Sequence, residues 1–334
     1  MIGGQRCRSA CSLVNPAAAP ARAGVAPVNA IRYGLQKGVM TITPRLLGNG
    51  VTGMTNFKAE YIELLKQSLC ASLYDESAWR PVSGPIAQFE AAKSVVGRSK
   101  LAIVRALRQR GMALVRMHPY DAEARRQGLD WPMFGYTMTG RVRLDMLEHC
   151  INDVIDKNVP GDIVETGVWR GGSMIMARAL LKVRGVEDRT IWCADSFEGM
   201  PVPTEADPNK STGEDLSDVD YLAVSLEQVK RNFERFGLLD EQVKFLKGWF
   251  SDTLPTAPIE KISILRLDGD LYESTNDALQ ALYDKVSIGG YVIVDDYYGW
   301  PGCKKAVDEF REARSIQGPL TAIDAASAFW QRIN

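Results

Sequence analysis

Four carboxylates follow two apolar segments in the last third of the chain: Asp268, Asp270, Asp295 and Asp296. If the two segments are neighbouring strands of one parallel sheet, their carboxyl ends meet at the same edge, where ligands bind in such folds. Like charges at that distance require raised pKa values or a bound cation. A set of oxygen ligands without histidine or cysteine favours Mg²⁺ or another hard cation. We therefore predict a Mg²⁺ site at Asp268, Asp295 and Asp296, with strand caps or loop charges as the alternative.

A glycine-rich stretch at residues 165–173 joins a predicted strand to a predicted helix. Glycines there let a ligand approach the backbone, and the free N–H groups at the start of a helix attract a carboxylate or phosphate. The dinucleotide fingerprint G-x-G-x-x-G is broken, because Trp169 occupies its second glycine position. The stretch predicts a small-ligand loop, or else a turn that serves only strand–helix packing.

Asp195 stands at the end of the next predicted strand. A carboxylate at that position commonly binds both hydroxyls of a ribose. Phe197, two residues later, is predicted either to cover an adenine or to belong to the core. The loop at residues 248–250 follows a third strand and is a further candidate contact, with ordinary loop packing as the alternative.

The elements that must position these residues form a repeating strand–helix pattern. Short apolar runs predict five strands, at residues 162–166, 190–194, 243–247, 263–268 and 291–295. Helical patterns separate them, the clearest at residues 220–236, and another precedes the first strand. This alternation is typical of an α/β fold with a doubly wound, mostly parallel sheet.

The region before that pattern divides into two parts. Residues 1–59 contain arginine and lysine but no acidic residue, which indicates a disordered segment that is either a transit peptide or the product of a misplaced start. Residues 60–135 are predicted to be a helical extension or lid, and residues 136–334 the main domain. Within the extension, the basic stretch 84–118 predicts a membrane-surface or lid segment, or simply the solvated face of a packed helix.

Composition excludes several functional classes. The 40 Lys and Arg against 41 Asp and Glu give a formal charge of −1, which offers no general attraction for nucleic acid. No apolar run is long enough to span a membrane. The six cysteines form no C-x-x-C pair, which indicates a reducing compartment. We expect a cytoplasmic protein, or an organellar one if residues 1–59 are a transit peptide.

Five motifs in the main domain resemble the macrocin-type O-methyltransferases, which methylate sugars of mycinamicin, tylosin and novobiocin using S-adenosylmethionine and Mg²⁺. The motifs are ETGVWRGG at 165–172, ADSFEGMP at 194–201, LDGDLYEST at 267–275, DDY at 295–297 and PGC at 301–303. The resemblance covers residues from about 136 to 330 and implies a seven-stranded class I methyltransferase sheet.

The resemblance also implies roles for individual residues. Asp270 matches the general base, and Asp268, Asp295 and Asp296 match the metal positions. The implied cofactor contacts are Glu165, Thr166, Gly167, Trp169, Arg170, Gly171, Gly172, Ser173, Asp195, Ser196, Phe197, Gly248, Trp249, Phe250 and Asp268. The two acids of Asp-Gly-Asp are offset by two positions, so one can face a cation while the other reaches a hydroxyl group.

The sequence therefore predicts an O-methyltransferase that acts on a sugar hydroxyl of a glycosylated natural product. The alternatives are a catechol or phenolic acceptor, a nicotinamide-dependent oxidoreductase on the same type of sheet, and a non-catalytic binding protein. The expected partner is a small glycoside or another hydroxylated molecule, without nucleic acid and without a transmembrane segment. Assembly into a homo-oligomer is left open.

Overall fold

The computed structural model of the protein describes residues 30–36, 39–45, 53–74, 80–81, 94–112, 115–116, 119–207, 215–217 and 219–334. Its strands are β1 (Ala30–Gln36), β2 (Val39–Arg45), β3 (Arg80–Pro81), β4 (Val115–Arg116), β5 (Asp162–Thr166), β6 (Ile191–Asp195), β7 (Val243–Lys247), β8 (Ile262–Leu267), β9 (Val286–Val294), β10 (Thr321–Ala322) and β11 (Ala328–Gln331). Its helices are α1 (Gly53–Leu69), α2 (Val95–Arg108), α3 (Ala122–Gln127), α4 (Gly140–Asp156), α5 (Gly172–Arg184), α6 (Leu226–Arg235), α7 (Phe250–Thr253), α8 (Tyr272–Leu282) and α9 (Pro301–Ala313).

Seven strands from β5 onward form a mixed sheet in the order β7-β6-β5-β8-β9-β11-β10. The first five of these are mutually parallel, whereas β11 runs antiparallel to β9 and β10 antiparallel to β11. The chain builds outward from β5 to β7 and then returns to add β8 on the other side of β5. The carboxyl ends of β5 and β8 therefore flank a topological switch point, where this type of sheet binds ligands.

Apolar side chains on both faces of the sheet explain its double winding. Every residue of β8 is buried, which is the pattern expected for a strand covered on both sides. One face packs against α1, α4, α5 and α6, and the other against α8 and α9. The predicted doubly wound α/β fold is confirmed.

A hairpin of β1 and β2 extends this sheet to nine strands in the described part of the chain. It joins through a parallel pairing of Val39 with Ala322 of β10. The sequence did not predict the hairpin, which lies in the stretch 1–59. The remainder of that stretch before α1, at 1–29, 37–38 and 46–52, and residues 84–93, 113–114 and 117–118 of the basic stretch, lie outside the described residues.

Helix α1 attaches the N-terminal extension to the main domain. It begins at Gly53, earlier than the predicted start at residue 60, and buries Ile62, Leu65 and Leu69 in the core. The buried ammonium of Lys66 lies 2.5 Å from carboxylate oxygens of both Asp145 and Glu148 on α4. Among the described residues, no helix combines the length and hydrophobicity required to cross a lipid bilayer.

Candidate active site

A cavity of about 270 Å³ opens at the carboxyl edge of the sheet, beside the switch point. Loops that follow β5, β6, β7 and β8 form most of its wall. The lining residues are Met138, Gly167, Trp169, Asp195, Ser196, Gly199, Met200, Pro201, Leu222, Trp249, Phe250, Ser251, Asp268, Gly269, Asp270, Glu273, Ser274 and Asp277.

Three of the loops at this edge contain a non-glycine residue in the left-handed region of backbone space. These are Trp169 after β5 (φ +46°), Phe197 after β6 (φ +56°) and Asp270 after β8 (φ +56°). Such conformations are costly for L-residues and persist where the surrounding structure enforces them. Their concentration around one cavity indicates loops that are held in fixed shapes before any ligand arrives.

Asp195 holds the glycine-rich loop against the end of β6. One of its carboxylate oxygens accepts hydrogen bonds from the backbone N–H groups of Val168 (2.6 Å) and Trp169 (3.3 Å), and the other accepts from Phe197 N–H (2.7 Å). Burial raises the pKa of Asp195, while these hydrogen bonds lower it. Carboxylate oxygens have lone pairs beyond those used here, so Asp195 can also accept from ligand hydroxyls on the cavity side.

An aromatic cluster closes one side of the glycine-rich loop. The Trp169 indole N–H donates to the carbonyl of Tyr221 (3.0 Å), and the Tyr221 ring stacks on Trp131 with centroids 5.4 Å apart. The Arg170 guanidinium lies 4.2 Å from the centroid of Trp169 and donates to the carbonyls of Met133 (3.0 Å) and Gly135 (2.8 Å). The cluster therefore binds the segment before α4 to the cavity wall.

The three aspartates predicted to bind a metal lie close together. Carboxylate oxygens of Asp268, Asp295 and Asp296 all lie within 4.8 Å of one another. The backbone N–H of Asp270 donates to Asp296 Oδ2 (3.2 Å), which sets Asp270 beside the three acids. Asp295 and Asp296 are buried, whereas the Asp268 side chain is 27% exposed and lines the cavity. We call Asp268, Asp295 and Asp296 the three-aspartate cluster.

Two buried arginines contact this cluster, and the sequence analysis identified neither. Arg266 Nη1 donates to Glu165 (2.6 Å) and Asp268 (2.7 Å), and Arg266 Nη2 donates to Asp295. Arg143 of α4 donates to the other oxygen of Asp295 at 2.5 Å. An arginine inside the largely apolar strand β8 was the available signal, since buried arginines are normally paired.

Burial and mutual repulsion raise the pKa values of these acids. Burial, then the charge of Asp295, raises the pKa of Asp268 to about 6, against the opposing effect of Arg266. Burial, then the charges of Asp268 and Asp295, raises the pKa of Asp270 to about 7. Burial raises the pKa of Asp296 well above its usual value, and the negative charges of its neighbours add to this effect, that of Asp270 most strongly. The two arginines therefore do not neutralise all of these carboxylates, and the remaining negative charge favours protonation or a bound cation.

Several predicted cofactor residues lie behind the cavity wall and fix its shape. Their backbone groups make hydrogen bonds to neighbouring segments. The carbonyl of Thr166 accepts from the backbone N–H of Asp268 (2.8 Å), the Gly172 N–H donates to the carbonyl of Tyr136 (2.9 Å), and the Gly248 N–H donates to the backbone carbonyl of Asp195 (3.0 Å). Phe197 packs edge-on against Phe245 in the core. Glu165, Arg170, Gly171 and Ser173 are likewise absent from the lining, whereas Gly167, Trp169, Asp195, Ser196, Trp249, Phe250, Asp268 and Asp270 belong to it.

Other lining residues had not been predicted as contacts. Six of them lie within the motifs that carry the family resemblance, which was a usable signal: Gly199, Met200, Pro201, Gly269, Glu273 and Ser274. The remaining ones lie outside those motifs: Met138, Leu222, Ser251 and Asp277.

The comparisons with known proteins bear directly on this arrangement. A model of the macrocin-O-methyltransferase (TylF) family matches residues 58–332. The chain belongs to this family. The methyltransferase is thus an enzyme of the class that the sequence motifs predicted, and its sheet is that of the S-adenosylmethionine-dependent methyltransferases.

Named relatives include two bacterial O-methyltransferases. The methyltransferase is 54% identical over 216 residues to demethyldecarbamoylnovobiocin O-methyltransferase of Streptomyces niveus, covering 64% of this chain and 82% of that protein. It is 46% identical over 213 residues to mycinamicin III 3''-O-methyltransferase of Micromonospora griseorubida, covering 63% and 84%. The solved structure of the O-methyltransferase NovP is 43% identical, with a TM-score of 0.69, and covers 83% of this chain and 100% of that one.

Proposed function

We propose that this methyltransferase transfers the methyl group of S-adenosylmethionine to a sugar hydroxyl of a glycosylated natural product, and that it requires Mg²⁺. The observation that carries the proposal is the convergence of the three-aspartate cluster beside Asp270, at a cavity that Asp268 and Asp270 line together with the glycine-rich loop. The sugar acceptor is supported by the name of a third relative, from Streptomyces olivaceus and 49% identical over 221 residues, which is a 4'-O-methyltransferase of a rhamnosyl-tetracenomycin C.

The residues of this site fit both Mg²⁺ and S-adenosylmethionine. Three carboxylates within 4.8 Å offer the all-oxygen donor set that Mg²⁺ prefers. The cavity also suits a nucleoside joined to a cationic sulfonium. Trp249 and Phe250 supply aromatic surface, Asp195 supplies an acceptor for hydroxyls, and further acidic side chains line the same cavity.

The chain's own residues then account for the chemistry. A bound Mg²⁺ would lower the pKa of an acceptor hydroxyl near the three-aspartate cluster. Asp270 accepts the proton of that hydroxyl as the hydroxyl oxygen forms a bond to the methyl carbon, while the bond between the methyl carbon and the sulfur breaks and S-adenosylhomocysteine leaves. The raised pKa of Asp270 suits proton transfer near neutral pH. The rigid loops after β5 and β6 orient the methyl donor, and this alignment supplies a large part of the rate.

The test measures methyl transfer to a demethyl glycoside, to its aglycone and to a catechol, each with EDTA and then with excess Mg²⁺. The expected result is methylation of the glycoside alone, lost in EDTA and restored by Mg²⁺, with tandem mass spectrometry locating the methyl group on the sugar. Methylation of the catechol in preference to the glycoside would replace the sugar assignment. Full activity in EDTA would remove the Mg²⁺ requirement.

Asp195→Asn provides a separate test of the cofactor site. Asparagine has one acceptor oxygen and would turn an amide N–H₂ toward a backbone N–H of the loop, so the loop and any ribose contact lose a charged acceptor. We expect the affinity for S-adenosylhomocysteine, measured by calorimetry, to fall by about 10- to 100-fold, as losing a hydrogen bond to a charged group costs ~1.5–3 kcal/mol. Asp188→Asn is the control, because it removes the same charge from an exposed position. Equal affinities in the two variants would contradict the assignment.

A further inference from the structure

Arg143 contacts the three-aspartate cluster from α4, a helix that contributes no residue to the cavity lining. Its side chain is 9% exposed, and its guanidinium connects two separate parts of the chain. Nη1 donates to Asp295 Oδ2 at 2.5 Å, and Nε donates to Asp324 Oδ2 at 2.7 Å. The guanidinium therefore joins the end of β9 to the loop between β10 and β11.

Both partners of Arg143 are themselves held. The other oxygen of Asp295 accepts from Arg266. Each oxygen of this carboxylate is therefore hydrogen-bonded to a guanidinium group from a different element. Asp324 Oδ1 accepts from the backbone N–H groups of Ala326 and Ser327 and from the Ser327 hydroxyl, each at 2.8 Å. A carboxylate bonded through both oxygens has little freedom to rotate, and a planar guanidinium fixes its direction better than an ammonium does.

The positive charge of Arg143 also allows the acids to converge. The three-aspartate cluster, Glu165 and Asp270 bring carboxylates together in a largely buried space, and their mutual repulsion would otherwise separate the side chains. Arg143 offsets part of that repulsion without occupying the cavity side of the cluster. Partners of this kind orient metal-binding side chains in other proteins, and their loss typically costs metal affinity.

We infer that Arg143 is a positioning residue for the metal site: it holds the Asp295 carboxylate in the orientation that faces Asp268 and Asp296. This inference rests on the proposed function, because it concerns the Mg²⁺ that the function requires. It assigns to α4 a direct influence on cation affinity, although the helix lines no part of the cavity.

The experiment measures cation binding rather than turnover, on the full chain without acceptor. Mn²⁺ serves as the probe, its free concentration is followed by electron paramagnetic resonance, and Mg²⁺ is used to compete. Arg143→Met removes both contacts at similar side-chain length, and Arg143→Lys keeps the charge but not the fork that spans Asp295 and Asp324. Arg178→Met is the matched control, because Arg178 is 6% exposed and pairs with Asp240 away from the cavity.

We expect Arg143→Met to weaken Mn²⁺ binding by about 10- to 100-fold, and Arg143→Lys to weaken it less. Arg143→Met and Arg143→Lys should both bind S-adenosylhomocysteine with the wild-type affinity, measured by calorimetry. Such binding would also show that the two variants fold. Arg178→Met should lose thermal stability and keep the wild-type Mn²⁺ affinity. Asp324→Asn, which loosens Arg143 without touching the cluster, should weaken Mn²⁺ binding in the same direction.

Two results would overturn the inference while leaving the proposed function intact. One is wild-type or tighter Mn²⁺ binding by Arg143→Met, and the other is an equal loss in Arg143→Met and Arg178→Met. If the wild-type protein binds neither Mn²⁺ nor Mg²⁺, then the Mg²⁺ requirement itself fails and the role of Arg143 fails with it.

Discussion

Replacing Asp270 with asparagine is expected to lower kcat for methyl transfer by about 10²- to 10⁴-fold, the usual contribution of a general base. Asparagine has nearly the same shape but cannot accept the proton of the acceptor hydroxyl. The backbone N–H that Asp270 donates to Asp296 is unaffected by the change, so the three-aspartate cluster should keep its arrangement. Initial rates at saturating S-adenosylmethionine, Mg²⁺ and glycoside would measure the loss.

The pH profile separates loss of a base from general damage to the site. A carboxyl group acts as a base only when ionised, and burial with the neighbouring charges raises the pKa of Asp270 to about 7. Wild-type kcat should therefore rise as pH increases through the pKa of the base, and Asp270→Asn should lose this rise.

A control and a second readout complete the test. Asp284→Asn removes the same charge at a surface ion pair with Arg314 and should retain wild-type activity. The Mg²⁺ concentration for half-maximal activity should be the same in Asp270→Asn and the wild type. If Asp270→Asn instead needs far more Mg²⁺ at an unchanged kcat, Asp270 would be a cation ligand rather than the base.

The parallel strands were predictable because they are short continuous apolar runs that end at polar residues. β5 and β7 match their predicted bounds, and the ends of β6 and β8 differ by a residue. The carboxyl-edge rule then places Asp268 beside Asp295 and Asp296 without any knowledge of side-chain contacts. β10 has two residues and β11 has four, so neither is long enough to give a recognisable pattern.

The helix predicted at residues 220–236 illustrates where pattern and structure diverge. Helix α6 begins only at Leu226, after Ser225, whose hydroxyl accepts a hydrogen bond from the backbone N–H of Gln228. The apolar residues before this cap have another use: Leu222 lines the cavity and Tyr221 stacks on Trp131. Their spacing fits a helix, but their packing partners lie far away in the sequence.

The arginines around the three-aspartate cluster were not predictable for a related reason. Arg143 and Asp295 are 152 positions apart, and no local pattern links two residues across that distance. The sequence therefore identifies the acids that converge, because strand ends locate them. It does not identify what balances their charge, because that depends on how α4 packs against the sheet.

Gly167→Ala is expected to lower the free energy of unfolding by about 3 kcal/mol or more and to abolish most methyl transfer. Gly167 has φ +89°, where an L-residue costs ~1–2 kcal/mol. A Cβ atom there would also lie 1.7 Å from the carbonyl oxygen of Asp268, in a contact between the loops after β5 and β8. Backbone atoms must move to relieve it, and such overpacking costs ~1–3 kcal/mol more. The movement would displace Asp268 and the glycine-rich loop together.

Gly185→Ala separates the clash from the backbone strain. Gly185 ends α5 with φ +68°, and a Cβ atom there would meet nothing within 4 Å. It should therefore lose only ~1–2 kcal/mol in urea unfolding and keep wild-type methyl transfer. A Gly167→Ala variant as stable and as active as Gly185→Ala would mean that the loops after β5 and β8 can separate without consequence. The close contact between Gly167 and Asp268 would then have no part in holding the glycine-rich loop beside the three-aspartate cluster.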